Sequence, residues 1–516
     1  MKRLSILLVA CIMMGGCAST AGGFSSTSTP SFKAASTPDR TIVVISDLHL
    51  GLGRDADDSR DAKEDFRWPK AFKAFLDEIS KMGNQRVDLV IAGDFLEMWQ
   101  PPANIYCKGA SAGLGCTIDE MKEIAIWITR VHSEVFNDLK NFSQKDQNRL
   151  YIIPGNHDAA LLAASVWAPI GKALDADKGR VCFVSSGIWT SADGSIVVEH
   201  GHQIGSDANR YKTWPNIGRT KGGIEYIIRP WGERFVQKIF NDQEKIYPII
   251  DNLSPESAGV SYRMADRGKW GTGKDIAQFL AFNLFQTSLP QMAQVLGTEE
   301  SPEDKPKWDI SEARKLGHRL FVAALSEDDG FRAQLLENSD QAKEVRRELD
   351  MLANDPKRLP DENIKMLCDQ AAIQENSVCK APELGAFVEK KLVPREWVLA
   401  SHLSQKEKDF PRMRYFVYGH THLFEEAWQP SGTSYVQVLN SGAFQRLINE
   451  KGYLRRVNDR KISPAEGLKK IALEELPPCY TCVLIPYNEN PQVLRWVMKE
   501  SDNTGSFAKP GDNVCE

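Results

Sequence analysis

The sequence has no lysine- and arginine-rich block and no basic tail. Its 64 basic residues are outnumbered by 69 acidic ones, for a formal net charge of -5. Nucleic acid is therefore not expected as the main partner. Past the first residues it also lacks a run apolar enough to span a membrane. The uncharged stretch 276–297 is broken by Gln278, Asn283, Gln286, Pro290, Gln291 and Gln294, which suits a buried helix better than a bilayer span. No internal repeat is evident. With 42% hydrophobic and 26% charged residues, neither wholesale disorder nor a multi-span membrane protein is expected. A chain of 516 residues suggests about three domains at roughly 150 residues each.

The amino terminus reads as an address. Lys2 and Arg3 precede the apolar run Leu4 to Met14, followed by Gly15, Gly16 and Cys17, the layout of a signal peptide over residues 1–16. Small residues before a cysteine resemble the bacterial lipobox. Leu8-Val9-Ala10-Cys11 fits that box more closely but leaves a very short apolar core. The resemblance implies an exported protein on the periplasmic side of a bacterial membrane, anchored by lipid at Cys17. Residues 17–39, rich in Ser, Thr, Gly, Ala and Pro, are expected to be a flexible tether.

Of ten cysteines, eight remain once Cys11 and Cys17 are set aside, and an even count in an exported chain suggests disulfides. Cys107 with Cys116 and Cys368 with Cys379 read as local loop staples. Partners among Cys182, Cys479, Cys482 and Cys515 stay open. Cys479-Tyr480-Thr481-Cys482 has the spacing of a redox or zinc pair, but it has no second pair and no thioredoxin-like surroundings, and reads as structural.

The chemistry emerges where short apolar runs end. Thr41 to Ile45 is β-branched and leads to Ser46-Asp47-Leu48-His49. Val87 to Ile91 leads to Gly93-Asp94-Phe95-Leu96-Glu97, and Leu150 to Ile153 to Gly155-Asn156-His157-Asp158. Ile196 to Val198 leads to His200-Gly201-His202, and Tyr415 to Tyr418 to Gly419-His420-Thr421-His422. Five strands are predicted, each delivering polar groups from its carboxyl end. Residues two apart in extended backbone point the same way, so Asp47 with His49 and His420 with His422 are expected to reach one pocket from single strand ends. Six of the nine histidines fall in these motifs. The donors are oxygen and imidazole nitrogen without thiolate, which suits two divalent ions, manganese favoured and iron or zinc as alternatives.

The ordered set Asp-x-His, Gly-Asp-x-x-Glu, Gly-Asn-His-Asp, His and Gly-His-x-His resembles the calcineurin-like metallophosphoesterase superfamily. The resemblance covers about half the chain, from Arg40 to Gly205 and Arg412 to Met498. It implies an α/β fold, a four-layer α/β/β/α sandwich, with a two-metal site at the strand ends. It further implies that Asp47, His49 and His422 hold one metal, that Asn156, His200 and His420 hold the other, and that Asp94 bridges them. His157 would donate a proton to the leaving alkoxide and Asp158 would orient its imidazole. Glu97 stands where the family usually has Asp or Asn. Val438-Leu439-Asn440-Ser441-Gly442 is similar to the family's Asn-x-Gly stretch. Such a site meets what a phosphoester requires: charge neutralisation, an activated water and a proton for the departing oxygen.

About two hundred residues separate His202 from His420, too many for a simple connection. Apolar residues recur at helical spacing through Tyr226 to Ile250, Ile276 to Leu296, Glu312 to Leu325 and Ala342 to Leu352. The expected organisation is a phosphoesterase domain in two parts, 40–205 and 406–500, with a mainly helical insertion or cap at 206–405 and a tail at 501–516. His132 follows the capping-box signature Thr117 to Glu120 and reads as a helix residue. His318 and His402 read as structural, and His202 as structural filling with substrate contact as the alternative.

The substrate is expected to be a phosphorylated small molecule or lipid. Asp47-Leu48-His49-Leu50-Gly51 with Gly93 to Trp99 is similar to the UDP-2,3-diacylglucosamine pyrophosphatases, although that subfamily has Arg where His157 stands and works at the cytoplasmic face. A diphosphate hydrolase acting on a nucleotide-linked lipid or sugar, and an inactive binding or scaffold module, are the alternative readings. Arg54, Arg60, Arg210, Lys212 and Arg219 flank the motifs and are read as solvated surface charge. The anchor is testable by membrane fractionation: Cys17→Ser is expected to release the protein from the membrane pellet, and unchanged sedimentation rejects the anchor.

Overall fold

The computed structural model describes residues 32–33, 40–53, 61–102, 115–204, 395–431, 434–487, 489–499 and 504–511, with shorter pieces between 105 and 108 and between 211 and 263. Two sheets face one another. The larger runs, in spatial order, Thr504–Ala508, Gln492–Lys499, Pro478–Ile485, Thr41–Ile45, Val87–Ala92, Arg149–Ile153 and Val181–Phe183, with Phe444–Arg446 also pairing on Pro478–Ile485. The other runs Phe32–Lys33, Ile188–Thr190, Ile196–Glu199, Tyr415–Tyr418, Ser434–Ser441 and Phe424–Ser431.

The strands leading to the motifs pair in parallel within each sheet. Val43 lies opposite Leu89 and Leu89 opposite Leu150, while Tyr415 is flanked by Ile196 and Gln437. Parallel strands covered on both faces read as unbroken apolar runs, and Thr41–Ile45 shows why. Val43 and Ile45 join the core beneath the helices, whereas Ile42 and Val44 join Val90, Ile153, Val198, Val417 and Leu439 between the sheets.

Helices close both outer faces. Pro69–Met82 starts with proline in its first turn and buries Ala71, Phe72, Phe75, Leu76 and Ile79 along one stripe, the pattern that seats a helix on a sheet. Phe75 meets Phe444 at 5.0 Å and Trp496 at 6.0 Å between ring centroids. Ile118–Val131 begins at a capping box in which Thr117 and Glu120 satisfy each other's backbone amides, and it buries Met121, Ile124, Ala125 and Ile128. On the far side Leu399 and Leu403 of Arg395–Asp409 pack on Phe416, Val436 and Val438. The result is the expected α/β/β/α layering.

Several boundaries differ from those read in the sequence. Thr504–Ala508 pairs with Gln492–Lys499 as an edge strand, so the sheet continues into the segment expected to be a tail. Phe32–Lys33, within the expected tether, pairs with Trp189–Thr190. Tyr226, expected to open a helix, instead lies in the strand Glu225–Ile227, antiparallel to Ile217–Arg219. Aromatic and β-branched residues satisfy either period over so short a window. The other three helical stretches expected in the insertion lie outside the described residues, as do Cys368, Cys379 and His318.

Cys107 and Cys116 form the expected disulfide. Cys479 and Cys182 each take part in a disulfide as well, whereas Cys482 is a buried free thiol. Cys479 and Cys482 are therefore not joined to each other, and they belong to separate apolar clusters. Among the described residues no helix is long and apolar enough to cross a membrane. Because Phe75 is fully buried among other rings, Phe75→Ala is expected to cost about 3–5 kcal/mol, measured as a lowered denaturant midpoint at unchanged m-value.

Candidate metal centre

Each motif begins where its strand stops, and the backbone there is unusual. Asp47, His49, Asp94, His420 and His422 all adopt positive φ, between 47° and 71°, a region that L-residues avoid at a cost of order 1 kcal/mol or more. Asp47 and His49 converge through two left-handed residues beyond Ile45, and not, as the sequence suggested, through the alternation of an extended strand. His420 and His422 do the same beyond Tyr418. Rungs between loops hold this geometry: the amides of Asp47 and His49 donate to the carbonyls of Gly93 and Asp94, and that of Gly419 donates to His200. Two glycines are required by close approach. A Cβ at Gly155 would stand 2.2 Å from Asp94 Oδ1, and one at Gly93, where φ is +90°, would meet the His200 ring at 2.4 Å.

These loops assemble two adjoining clusters, Asp47 with His49 and His422, and Asp94 with His200 and His420. Asp94 lies at the junction: Oδ2 is 3.0 Å from His200 Nε2 and 3.9 Å from His49 Nε2, while Oδ1 accepts the His157 amide at 2.8 Å. Asn156 Oδ1 is 2.9 Å from His200 Nε2. The donors fit divalent cations. Asp47 Oδ1 and His49 Nε2 are buried with no hydrogen-bond partner and stand 3.9 Å apart, with His422 Nε2 3.5 Å from the same Asp47 oxygen. Ligand atoms on one such ion are separated by roughly 3.0–3.5 Å, so small side-chain shifts suffice. Second partners set the tautomers. His200 Nδ1 donates to the Ala92 carbonyl at 2.8 Å and His49 Nδ1 lies 3.1 Å from Glu97, leaving each Nε2 for a cation.

Burial would raise the pKa of Asp94, but the charges of His200, His157 and His49 hold it well below the usual carboxylate range. Asp47 is lowered likewise, burial being outweighed by the nearby imidazoles of His422 and His200. Both carboxylates are thus ionised, as ligands must be.

The His157 imidazole is held by Glu97 and not by Asp158, which corrects the role read from the sequence. Glu97 Oε2 contacts His157 Nδ1 and His49 Nδ1 while Oε1 accepts the Trp99 amide at 2.8 Å. The Trp99 ring stacks on His157 at 3.8 Å. Burial favours the neutral imidazole, but Glu97 and then Asp94 overcome it and push His157 up to about 9. Burial raises Glu97 too, yet His157 brings it down to about 2. Asp158 turns the other way, accepting the amides of Gly155, Phe95 and Leu96. Burial, then the charge of Asp94, pushes Asp158 up to about 7. It staples two loops together and does not touch His157's ring.

Other expectations resolve simply. His132 sits at the junction of two helices and contacts the Gly51 carbonyl and Glu64. His402 reaches Glu199 at 2.6 Å. Asn440 holds Thr421 Oγ1 at 2.8 Å, and Ser441 binds Ser46 at 2.7 Å, so the Val438 to Gly442 stretch buttresses the loops without supplying a ligand. His202 is buried with both ring nitrogens unpartnered, 5.3 Å from His200 and 5.1 Å from Trp214. Burial, reinforced by His200 and His420, holds it well below an ordinary histidine. Tyr211, whose hydroxyl donates to the Asn156 carbonyl at 3.2 Å, escaped the sequence reading because nothing local marks it. Arg54, Arg60, Arg210 and Lys212 lie outside the described residues.

Residues 40–270 match the family model of the calcineurin-like phosphoesterases. No curated protein matches the chain. His420 and His422 fall beyond the matched span and join the centre through the fold.

In the metal-free protein, His157 is expected to titrate near about 9 by NMR, and lower in Glu97→Gln. Its pKa in the fold lies above the ordinary 6.5. The stability it contributes is therefore complete below about 6.5 and lost as pH rises through about 9.

Proposed function

We infer, from the membership of residues 40–270 in the calcineurin-like phosphoesterase family, that this metal-dependent phosphoesterase hydrolyses phosphoesters at two cations, with His157 as proton donor. The observation that carries the reading is the juxtaposition of a Glu97-held imidazole with the two ligand clusters, since the Asp94 carboxylate touches both the His157 amide and His200. Asp47, His49 and His422 would hold one cation and Asn156, His200 and His420 the other, with Asp94 shared. Oxygen and imidazole donors favour manganese, with iron or zinc as alternatives. When bound, such ions offset the charge of the phosphate oxygens and activate the attacking water.

The chain's own groups do the rest. Asp94, ionised despite burial, supplies negative charge at the junction. As the bond between phosphorus and the leaving oxygen breaks, His157 passes its proton to that oxygen, the product is a neutral alcohol, and solvent reprotonates the imidazole. Glu97, hydrogen-bonded to the rings of His157 and His49, orients the His157 imidazole and favours its protonated form. The Glu97–His157 pair set beside the two clusters favours an enzyme over an inactive scaffold.

The substrate on this reading is a phosphorylated small molecule or lipid. The leader expected over residues 1–16, ahead of Cys17, supports export to the periplasmic side with a lipid anchor, and the Cys107–Cys116 bond agrees with an oxidising compartment.

His157→Ala is expected to keep its metals and lose about 10²–10⁴-fold in turnover, with alkyl esters slowed more than aryl esters because they leave poorly without a proton. Equal slowing of both removes the donor role. Asp94→Asn is expected to retain at most one ion by elemental analysis and to lose activity; full competence overturns the dinuclear reading.

A further inference from the structure

The His157 ring is gripped on three sides. Glu97 takes Nδ1, and the Trp99 indole lies on one face at 3.8 Å between centroids with 22° between the planes. The His49 ring meets it edge to face, at 4.6 Å and 84°. That leaves Nε2 as the atom that can meet a substrate.

A single hydrogen bond does not fix such a ring. The last torsion of a histidine is broad, so an imidazole tethered only at Nδ1 swivels about the contact with Glu97 and carries Nε2 off line. A general acid has to stand within hydrogen-bond reach of the oxygen it protonates, and a misplacement of about 1 Å costs about 100-fold in rate. A flat ring pressed on the imidazole removes the swivel and keeps Nε2 unobstructed.

Trp99 suits that task because it is itself held. It is buried, and its amide donates to Glu97 Oε1 at 2.8 Å. One carboxylate therefore fixes both the imidazole and the backbone that carries the indole. The inserted segment holds the same stretch from its own side. Asn241 Nδ2 donates to the Trp99 carbonyl at 3.4 Å, and Gln100 Nε2 donates to Glu244 at 3.0 Å, with Gln100 and Glu244 both buried.

We propose that Trp99 is a positioning residue for the proton transfer, stacking on His157 so that Nε2 faces the leaving oxygen, and touching neither substrate nor metal itself. The proposal rests on the phosphoesterase reading and adds a residue to it. Only one step is affected. As the bond between phosphorus and oxygen breaks, its electron pair goes to the oxygen; the proton on Nε2 passes to that oxygen, and the N–H pair stays on nitrogen. Substrates whose leaving oxygen needs that proton are the ones that feel the loss of the indole.

The full chain, loaded with manganese, is assayed on esters of 2-phenylethanol and of 4-nitrophenol, each offered as the monoester and as the methyl diester. Trp99→Leu is expected to lower kcat on the 2-phenylethyl ester by about 10–100-fold, at unchanged KM and metal content, and to slow the 4-nitrophenyl ester far less. In a His157→Ala background the same change is expected to add nothing, because no ring remains to be held. Trp99→Phe, which restores a flat ring, is expected to regain most of the rate. Independently of turnover, the His157 ring protons of the zinc-loaded chain are expected to resonate upfield by NMR in the ring current of the indole, to lose that displacement in Trp99→Leu and to keep part of it in Trp99→Phe. The wild-type spectrum and Trp99→Phe keep the test decisive if Trp99→Leu does not fold. Equal slowing of both esters, a change in KM alone, an undiminished loss in the His157→Ala background or an undisplaced His157 signal overturns the positioning role while the phosphoesterase reading stands. Inactivity of the unaltered chain on every ester at full metal loading overturns both.

Discussion

Asp94 places one oxygen 3.0 Å from His200 and offers the other to the His157 amide, in a spot buried from solvent. Carboxylates and imidazoles gathered so tightly are costly to bury unless their charges and lone pairs are matched. Every feature around this point serves that matching. Ala92 and Glu97 take the outward nitrogens of His200 and His49, so that the inward nitrogens converge, and the surplus of donors at the centre is the kind of arrangement that cations complete. The two sheets meet here because neither alone supplies the set: Asp47, Asp94 and Asn156 follow strands of the larger sheet, and His200, His420 and His422 follow strands of the other.

Holding the groups in place stores local strain. Five positions of the two clusters have left-handed backbone, and the surrounding parallel strands, packed on both faces, over-determine the loops enough to keep them there. The amide rungs linking the Asp47, Asp94 and His200 loops transmit that rigidity from sheet to site. Asp158 belongs to this scaffold. The three backbone amides it accepts from lock the Gly155 turn to the Phe95 turn, and through them the placement of His157 relative to the two clusters.

Much of this was legible in the order of residues. The five apolar runs, the positions where they end and the donors that follow are local patterns, and each strand forms where it was expected or within a residue or two. The four-layer arrangement followed from the resemblance those motifs carry. Less legible were Tyr226, which a short window could not separate from a helix, and Thr504–Ala508, whose strand exists because Gln492–Lys499 lies beside it. Tyr211 carried no signal at all, being a single residue in a long insertion.

The sequence by itself determined which donors exist, that they lack thiolate, and that they follow strand ends, because metal chemistry restricts side-chain type and strand geometry restricts spacing. Only the tertiary structure decided that Glu97 and not Asp158 holds His157, that left-handed turns and not strand alternation bring Asp47 and His49 together, and that the Trp99 ring stacks on His157. Those outcomes depend on loop dihedrals and on contacts between segments far apart along the chain, and neither quantity is written in any short stretch of residues.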